Sequence, residues 1–333
     1  MKRLRPILIG AVGAVLGLFV LLLSGLLNFG ASSGHWDVTD WVFDIAARQS
    51  VTLRSLDIEV PPLDDPAMIR RGAGHYELVC AACHGSPGRV ADEFALHLTP
   101  KPPPLLDQMQ HWRPPARTFW TVKHGIKRTA MPAWPTQLRD DEVWDIVAFI
   151  EAMPKLTADE YRALAGDRRV GSTCTTCHGD DGAGVGNAFP RLDIQSPQYL
   201  ADALTAFRDG TRASGVMMSA ASGLSDQQIA ELAAHFGRAV EVKPPSGDGL
   251  ARSIWEDGIP ERSVPPCAAC HGATARPDFP RLIGQQPDHI ERQLLLFVEL
   301  GAARGGRHAE MMANAVHNLT AEEAAALAEW LGR

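Results

Sequence analysis

The run Cys80-Ala-Ala-Cys83-His84 decides the fold, because it returns twice more along the chain. The second copy is Cys174-Thr-Thr-Cys177-His178, and the third is Cys267-Ala-Ala-Cys270-His271. The copies lie 94 and 93 positions apart, which predicts three similar units of about 90 residues each. All six cysteines of the chain fall within these motifs, so none is left for a disulfide bond.

A C-x-x-C-H run is the attachment motif of a c-type haem. The two thiols form thioethers with the haem vinyl groups, and the adjacent histidine becomes one axial ligand of the iron. Two cysteines three positions apart share one helical turn, so both reach the same porphyrin edge. The sequence therefore predicts three covalently bound haems, with His84, His178 and His271 as axial ligands.

Two other chemistries use similar cysteine spacings. A single C-x-x-C-H could be half of a zinc site, but zinc sites pair two such runs, and three equal copies pair poorly. A thioredoxin-like redox pair needs a βαβ surrounding, and the sequence shows no strand-rich pattern. Covalent haem is the interpretation that accounts for all three copies.

The N-terminal stretch predicts a membrane anchor. Lys2, Arg3 and Arg5 precede an uncharged apolar run at 7–27. Twenty-one residues at about 1.5 Å each span the roughly 30 Å of a bilayer core. A cleavable signal peptide is the alternative, with Ala31-Ser32-Ser33 as a weak cleavage site, but its apolar region is usually shorter. The basic cluster is expected to stay in the cytoplasm, with the rest of the chain exported.

Export agrees with the haem prediction, since covalent haem is attached outside the bacterial inner membrane. We therefore expect a single-pass inner-membrane protein with its haem units in the periplasm. The net charge is −7, and haem propionates add further negative charge. This balance argues against nucleic acid as a partner.

The chain divides into an anchor at 1–30, a linker at 31–65, and haem units at 66–155, 156–246 and 247–333. Each unit is expected to begin with its haem motif near the start and to end on a helix with an apolar face. Pro66, Ser225 and Thr320 mark helix starts in the three units in turn. In the linker, a short helix is expected from Asp40 to Ala47. Trp36 and Trp41 of the linker are expected either at the membrane interface or packed on the surface of the first unit.

Each unit also carries a methionine seven positions before a leucine that precedes its closing helix. The pairs are Met131 with Leu138, Met217 with Leu224, and Met312 with Leu319. A shared offset in three diverged copies predicts one geometric role, that of second axial ligand. Core packing is the ordinary alternative for methionine. Met218, Met311, His124 and His308 are the competing ligands.

With these residues in place, the chain resembles class I c-type cytochromes over about 66–333. The second and third units resemble the cytochrome c4 family in C-x-x-C-H followed by Gly179 or Gly272, in Phe-Pro-Arg-Leu runs, and in aromatic-bearing closing helices. The first unit resembles single-haem domains in cytochrome subunits of membrane dehydrogenases and oxidases. Its matching runs begin at Phe119 and at Met131.

The resemblance implies an all-α fold of three tandem cytochrome c domains, each with an N-terminal helix crossing a C-terminal one. It implies a proline carbonyl that holds the ligand histidine, matched by Pro190 and Pro280. It also implies an aromatic residue in the closing helix, eleven positions after the leucine that precedes this helix. Phe149 and Trp330 occupy that place, whereas the second unit has His235 there and Phe236 next. Arg191 and Arg281 either neutralise propionates or lie in solvent.

Iron with histidine and methionine ligands has no open position for a substrate, so it moves single electrons. The sequence therefore predicts an electron relay, with a respiratory dehydrogenase as donor and a terminal oxidase or small cytochrome as acceptor. An enzyme such as a haem peroxidase would need one unit without its methionine, and every unit has one. A haem sensor would need an output domain, for which the chain has no room.

Overall fold

The computed structural model describes residues 4–34, 36–108, 114–166, 174–247, 249–272 and 276–332. Within these ranges the regular structure is helical, and extended pairing is limited to three isolated bridges. The all-α prediction is confirmed for this part of the chain. Four short 3-10 turns complete it, at Ala31–Ser33, Met153–Lys155, Pro260–Arg262 and Gly301–Arg304.

Two helices precede the first motif, α1 at Leu4–Leu23 and α2 at Asp37–Arg54. The second is longer than the helix predicted from Asp40 to Ala47, with acidic residues in its first turn and a basic one in its last, which suits the helix dipole. Trp36 and Trp41 are both exposed. No helix within the described ranges combines the length and apolarity that a membrane crossing requires.

The first unit is built around two crossed helices. Its helices are α3 at Pro66–Val79, α4 at Ala81–His84, α5 at Glu93–Leu96, α6 at Leu105–Gln108, α7 at Pro115–His124 and α8 at Asp140–Ala152. The Asp65 side chain caps α3 at the Ala67 N–H, as its place before Pro66 favours. At Gly72 the helices are so close that a Cβ would lie 1.8 Å from the Asp145 carbonyl oxygen on α8.

The second stretch contains α9 at Ala158–Ala165, α10 at Thr175–His178, α11 at Pro197–Arg208, α12 at Gly215–Ala221 and α13 at Asp226–Phe236. Ser225 begins α13 with a capping box to Gln228, as predicted. α9 packs against α3, and its Tyr161 and Ala165 belong to the apolar core of the first unit. The second unit's own core, around Leu200 and Phe236, is correspondingly small.

The third stretch contains α14 at Leu250–Glu256, α15 at Ala268–His271, α16 at Pro287–Leu300, α17 at Ala309–Val316 and α18 at Ala321–Leu331. Thr320 caps α18 through a capping box with Glu323, as predicted. Trp330 on α18 packs against Trp255 on α14, with ring centroids 6.1 Å apart. This contact joins the first and last helices of the unit in one core.

The second and third units meet through two matching glutamines. Gln195 donates to the Arg281 carbonyl and accepts from the Arg281 N–H, both at 2.9 Å. Gln285 makes the same pair of bonds with the backbone of Arg191, at 2.9 and 2.7 Å. The two Phe-Pro-Arg-Leu segments are thus held together by reciprocal bonds.

The first unit contacts the third through buried charge. Arg71 on α3 forms two 3.0 Å hydrogen bonds with the fully buried carboxylate of Asp145. Arg292 on α16 reaches the same carboxylate at 2.9 Å. Arg71 also pairs with Asp288 on α16. Four charged groups therefore fix α3 and α8 against α16.

Candidate haem sites

Each motif histidine has its ring held by a proline carbonyl. His84 donates from Nδ1 to the Pro103 carbonyl at 2.9 Å. His178 donates in the same way to Pro190 at 3.0 Å, and His271 to Pro280 at 2.8 Å. The predicted roles of Pro190 and Pro280 are confirmed. Because a carbonyl only accepts, each Nδ1 carries the proton and the lone pair lies on Nε2. This is the tautomer of a metal-ligating histidine whose second nitrogen is held by a partner.

The rings of His178 and His271 are also held in the neutral form. Burial lowers the pKa of His178 and His271, although the hydrogen bond to the proline carbonyl opposes the shift. A neutral imidazole is the form that binds iron. The short helices α4, α10 and α15 each end on the histidine and begin directly after the first cysteine.

No disulfide bond joins any of the six cysteines, all of which lie within the described residues. Burial raises the pKa of Cys80 and Cys177 to about 12 and that of Cys267 to about 11. A thioredoxin-like pair depends on a lowered thiol pKa instead. The raised thiol pKa values of Cys80, Cys177 and Cys267 therefore argue against a thioredoxin-like disulfide exchange.

The third motif faces a cavity of about 190 Å³. Cys267, Cys270 and His271 line it together with Met312, which packs against the third core. Apolar side chains from α16 and α18, including Leu294 and Leu327, form much of the remaining wall. The structure thus brings the predicted attachment residues and the predicted second ligand of this unit to one apolar cavity. Met311 reaches the same cavity but is 53% exposed, which favours Met312 as the buried ligand.

Two arginines from different units line the same cavity. Arg304 is buried, donates to Gln293 and to the Gly305 carbonyl, and lies 4.7 Å from the Phe297 ring centroid. Arg212 reaches in from the second unit, next to Tyr199. Neither guanidinium pairs with a carboxylate among the described residues, and burial together with Arg212 lowers the pKa of Arg304 well below its ordinary value.

Uncompensated buried positive charge is costly, and a group with acidic substituents would remove that cost. Haem carries two propionates and an apolar macrocycle, so the donor set, the apolar wall and the arginine pair all fit it. Arg191 and Arg281, for which the sequence allows either propionate contact or a place in solvent, have other partners. Arg191 pairs with Asp193 at 2.7 Å, and Arg281 donates to the Ala239 carbonyl at 2.9 Å.

Met131 and Met217 lie in segments held by local hydrogen bonds. The Met131 N–H donates to Thr129 Oγ1 at 3.1 Å, and its carbonyl accepts from Ile126 at 3.2 Å. Met217 lies in the first turn of α12, where its N–H donates to Ser214 Oγ at 3.2 Å. Their ligand roles stay predictions, as does the choice of Met217 over Met218.

The two competing histidines have other environments. His308 bonds through Nε2 to Asp278 at 3.0 Å and stacks on Phe279, with ring centroids 4.5 Å apart. His124 is exposed at the end of α7, beside Trp120. In the second unit, His235 is exposed and Phe236 is buried. Phe236 therefore fills the place that Phe149 and Trp330 occupy in the other units.

In sequence, the chain is similar to known c-type cytochromes. A family profile described as cytochrome c oxidase, cbb3-type, subunit III matches residues 67–150 and 161–236. Cytochrome c4 of Thiocapsa roseopersicina is 31% identical over 50% of this chain and 90% of its own length. A protein of Thiomonas intermedia named thiosulfate dehydrogenase electron acceptor is 34% identical over 48% of this chain and 77% of its own length. Among solved structures, a cytochrome c4 of Acidithiobacillus ferrooxidans aligns at 29% identity and a TM-score of 0.42, covering 49% of this chain and 99% of that one.

Proposed function

This chain belongs to the cytochrome c4-like class I c-type cytochromes, and we propose that it is a membrane-anchored, periplasmic, trihaem relay for single electrons. Its relatives make it a c-type cytochrome of electron transfer. The proposal adds the number of haems, the axial ligands, the location and the partners.

One observation carries the trihaem proposal. Each of the three motif histidines donates Nδ1–H to a proline carbonyl, at 2.8–3.0 Å. A degenerate, haemless copy would have no need of this second contact. The repeated arrangement supports a working iron ligand in every unit.

Bound haem iron supplies the one-electron chemistry. The two cysteines of each unit would hold the haem through thioethers, and the proline carbonyl orients the histidine that would bind the iron. Met131, Met217 and Met312 are the proposed second ligands, and methionine ligation would raise the potential and leave no site for a substrate. In the third unit, the apolar wall of the cavity would exclude water from the iron.

The anchor is proposed from the sequence alone, since no helix among the described residues has both the length and the apolarity needed to cross a membrane. The run at 7–27 is uncharged and follows three basic residues, so it would cross the inner membrane once with the haem units in the periplasm. Alkaline carbonate extraction of membranes tests this. Retention of the haem protein in the pellet is expected, and release into the supernatant would contradict the anchor.

We propose a respiratory dehydrogenase as donor and a terminal oxidase or a small cytochrome as acceptor. Two relatives are named for accepting electrons from thiosulfate dehydrogenase, which supports a dehydrogenase as donor. The net charge is +2 for 66–155, −3 for 156–246 and −4 for 247–333. Surfaces of opposite sign suit two different partners, since charge complementarity mainly sets the rate of encounter.

Stopped-flow mixing of the chemically reduced protein with an oxidised small c-type cytochrome tests the relay. We expect single-electron oxidation with a second-order rate that changes with ionic strength. Absence of exchange, combined with turnover of hydrogen peroxide, would indicate an enzyme instead.

A further inference from the structure

Glu142 on α8 is a buried junction between the first two units. Its carboxylate accepts hydrogen bonds from Trp134 Nε1 at 3.2 Å, from Ser214 Oγ at 2.6 Å and from the Gly215 N–H at 2.7 Å. Arg139 lies 3.0 Å from the same carboxylate. With its side chain only 5% exposed, Glu142 depends on these partners to offset the loss of water.

The partners of Glu142 adjoin both predicted methionine ligands. Trp134 comes three residues after Met131 in the loop of the first unit. Ser214 accepts from the Met217 N–H at 3.2 Å, at the start of the segment that carries the second unit's methionine. One carboxylate therefore connects the two ligand-bearing segments by hydrogen bonds.

Packing closes the same junction. A Cβ on Gly215 would lie 2.2 Å from Trp134 Nε1, so the indole rests directly on this backbone. Val216 is buried in the core of the first unit. Arg139, which pairs with Glu142, also donates to the Ala213 carbonyl at 3.0 Å. The 213–216 segment is thus held more by the first unit than by its own small core.

We infer that Glu142 is a positioning residue for methionine ligation in the first and second units at once. The inference rests on the proposed function, because it takes Met131 and Met217 as the ligands. Methionine is a neutral, weak ligand whose bond to iron depends on where the backbone holds it. Contacts behind metal ligands typically change metal binding by about 10–100-fold when removed.

The test compares Glu142→Ala and Glu142→Gln with Glu323→Ala in the intact protein. Glu323 is the matched control, since it too pairs with an arginine, Arg262, and accepts a backbone N–H, from Thr320 at 3.0 Å. It lies in the third unit, away from both segments. The readouts are the near-infrared methionine-to-iron band, the midpoint potentials, and displacement of methionine by added imidazole.

For Glu142→Ala we expect loss of the band intensity of two haems and a fall in two of three potentials, since methionine raises the potential. Glu142→Gln keeps the volume and loses the charge, so it is expected to fold and to admit imidazole more readily at the same two haems. Glu323→Ala is expected to leave those two haems unchanged.

Unchanged band, potentials and imidazole affinity in both Glu142 variants would overturn the inference. Equal changes at all three haems would also overturn it, because they would indicate a general loss of stability. A wild-type protein with fewer than three methionine-ligated haems would count against the proposed function instead, and it is recognised before any variant is made.

Discussion

Asp145 and Arg292 form a 2.9 Å ion pair across 147 positions of sequence, with the carboxylate fully buried. Arg71 bonds to the same carboxylate from the opposite helix. This arrangement makes the first and third units parts of one charged junction. It also means that the first unit is placed by contacts with both of the others.

Asp145→Asn is expected to destabilise the protein by about 1–3 kcal/mol, because Arg71 and Arg292 lose a fully buried carboxylate and keep only Asp288 and Asp141 as acidic partners. Chemical denaturation followed by circular dichroism measures this. Asp44→Asn is the control, since its pair with Arg48 is exposed on both sides and is worth about 0.5 kcal/mol or less. Equal effects of the two substitutions would refute the role of the junction.

Gly72→Ala tests the crossing of α3 and α8. A methyl group at this position would lie 1.8 Å from the Asp145 carbonyl oxygen, so the helices must move apart. We expect a loss of about 3 kcal/mol. Gly223→Ala is the comparison, because a Cβ there has no heavy atom within 4 Å. A Gly72 variant as stable as the Gly223 variant would show that the helices are not in close contact.

His75 predicts acid sensitivity of the same junction. Burial is the main cause that lowers the pKa of His75 from 6.5 to about 3. The positive charges of Arg292, Arg71 and Arg139 lower this pKa further, whereas Asp141 acts in the opposite direction. Its Nδ1 is buried with no hydrogen-bond partner within the described ranges. The unfolded chain takes up this proton at higher pH than the folded protein, so stability is lost as pH falls from about 6.5 to about 3.

The slope from this one group is at most about 1.4 kcal/mol per pH unit. Thermal melts across this pH range measure it in the wild type and in His75→Leu. Burial raises the pKa of Asp145 at the same junction to about 6, so this group adds stability as pH falls. The effect of His75 is therefore the difference between the two proteins, and the variant is expected to gain stability relative to the wild type as pH falls. Parallel curves for the two proteins would mean that His75 is charged in the folded state.

Methionine ligation in the third unit can be tested by paired substitutions. Met312→Leu is expected to remove one haem's share of the near-infrared band and to lower one potential, because the axial sulfur is lost. Met311→Leu is expected to change neither, as its side chain is largely exposed. The reverse outcome would make Met311 the ligand and would break the seven-residue offset shared by the three units.

The helices were largely predictable, because their signals are local. Pro66 after Asp65, and the capping residues Ser225 and Thr320, mark helix starts within a few positions of sequence. Their packing was not predictable in the same way. Tyr161 bonds to Glu77 across 84 positions, and no local pattern indicates that α9 lies on the first unit.

In the candidate sites too, the residues in local motifs were predictable and the long-range contacts were not. The cysteines and histidines form contiguous motifs, whereas the proline carbonyl lies 19, 12 and 9 positions after its histidine. That variable separation hid Pro103 among the neighbouring prolines of the first unit. Arg212 and Arg304 precede the predicted ligands by five and eight positions, so their common place at the third cavity emerges only in the folded chain.

No local sequence signal distinguishes Glu142 from the other acidic residues at the start of α8. The Asp140-Asp141-Glu142 run has the composition of an ordinary first helical turn. Its contact with Ser214 spans 72 positions, and only the docking of the second unit on the first makes the carboxylate a junction.

A redox-titrated optical spectrum of the detergent-extracted protein, with a pyridine haemochrome count and a carbon monoxide challenge, shows how many haems the chain binds and whether each iron has two protein ligands. We expect three c-type haems per chain, full methionine-to-iron absorption and no spectral change with carbon monoxide. Fewer than three haems, or a carbon monoxide complex at any one of them, would contradict a relay of three closed irons.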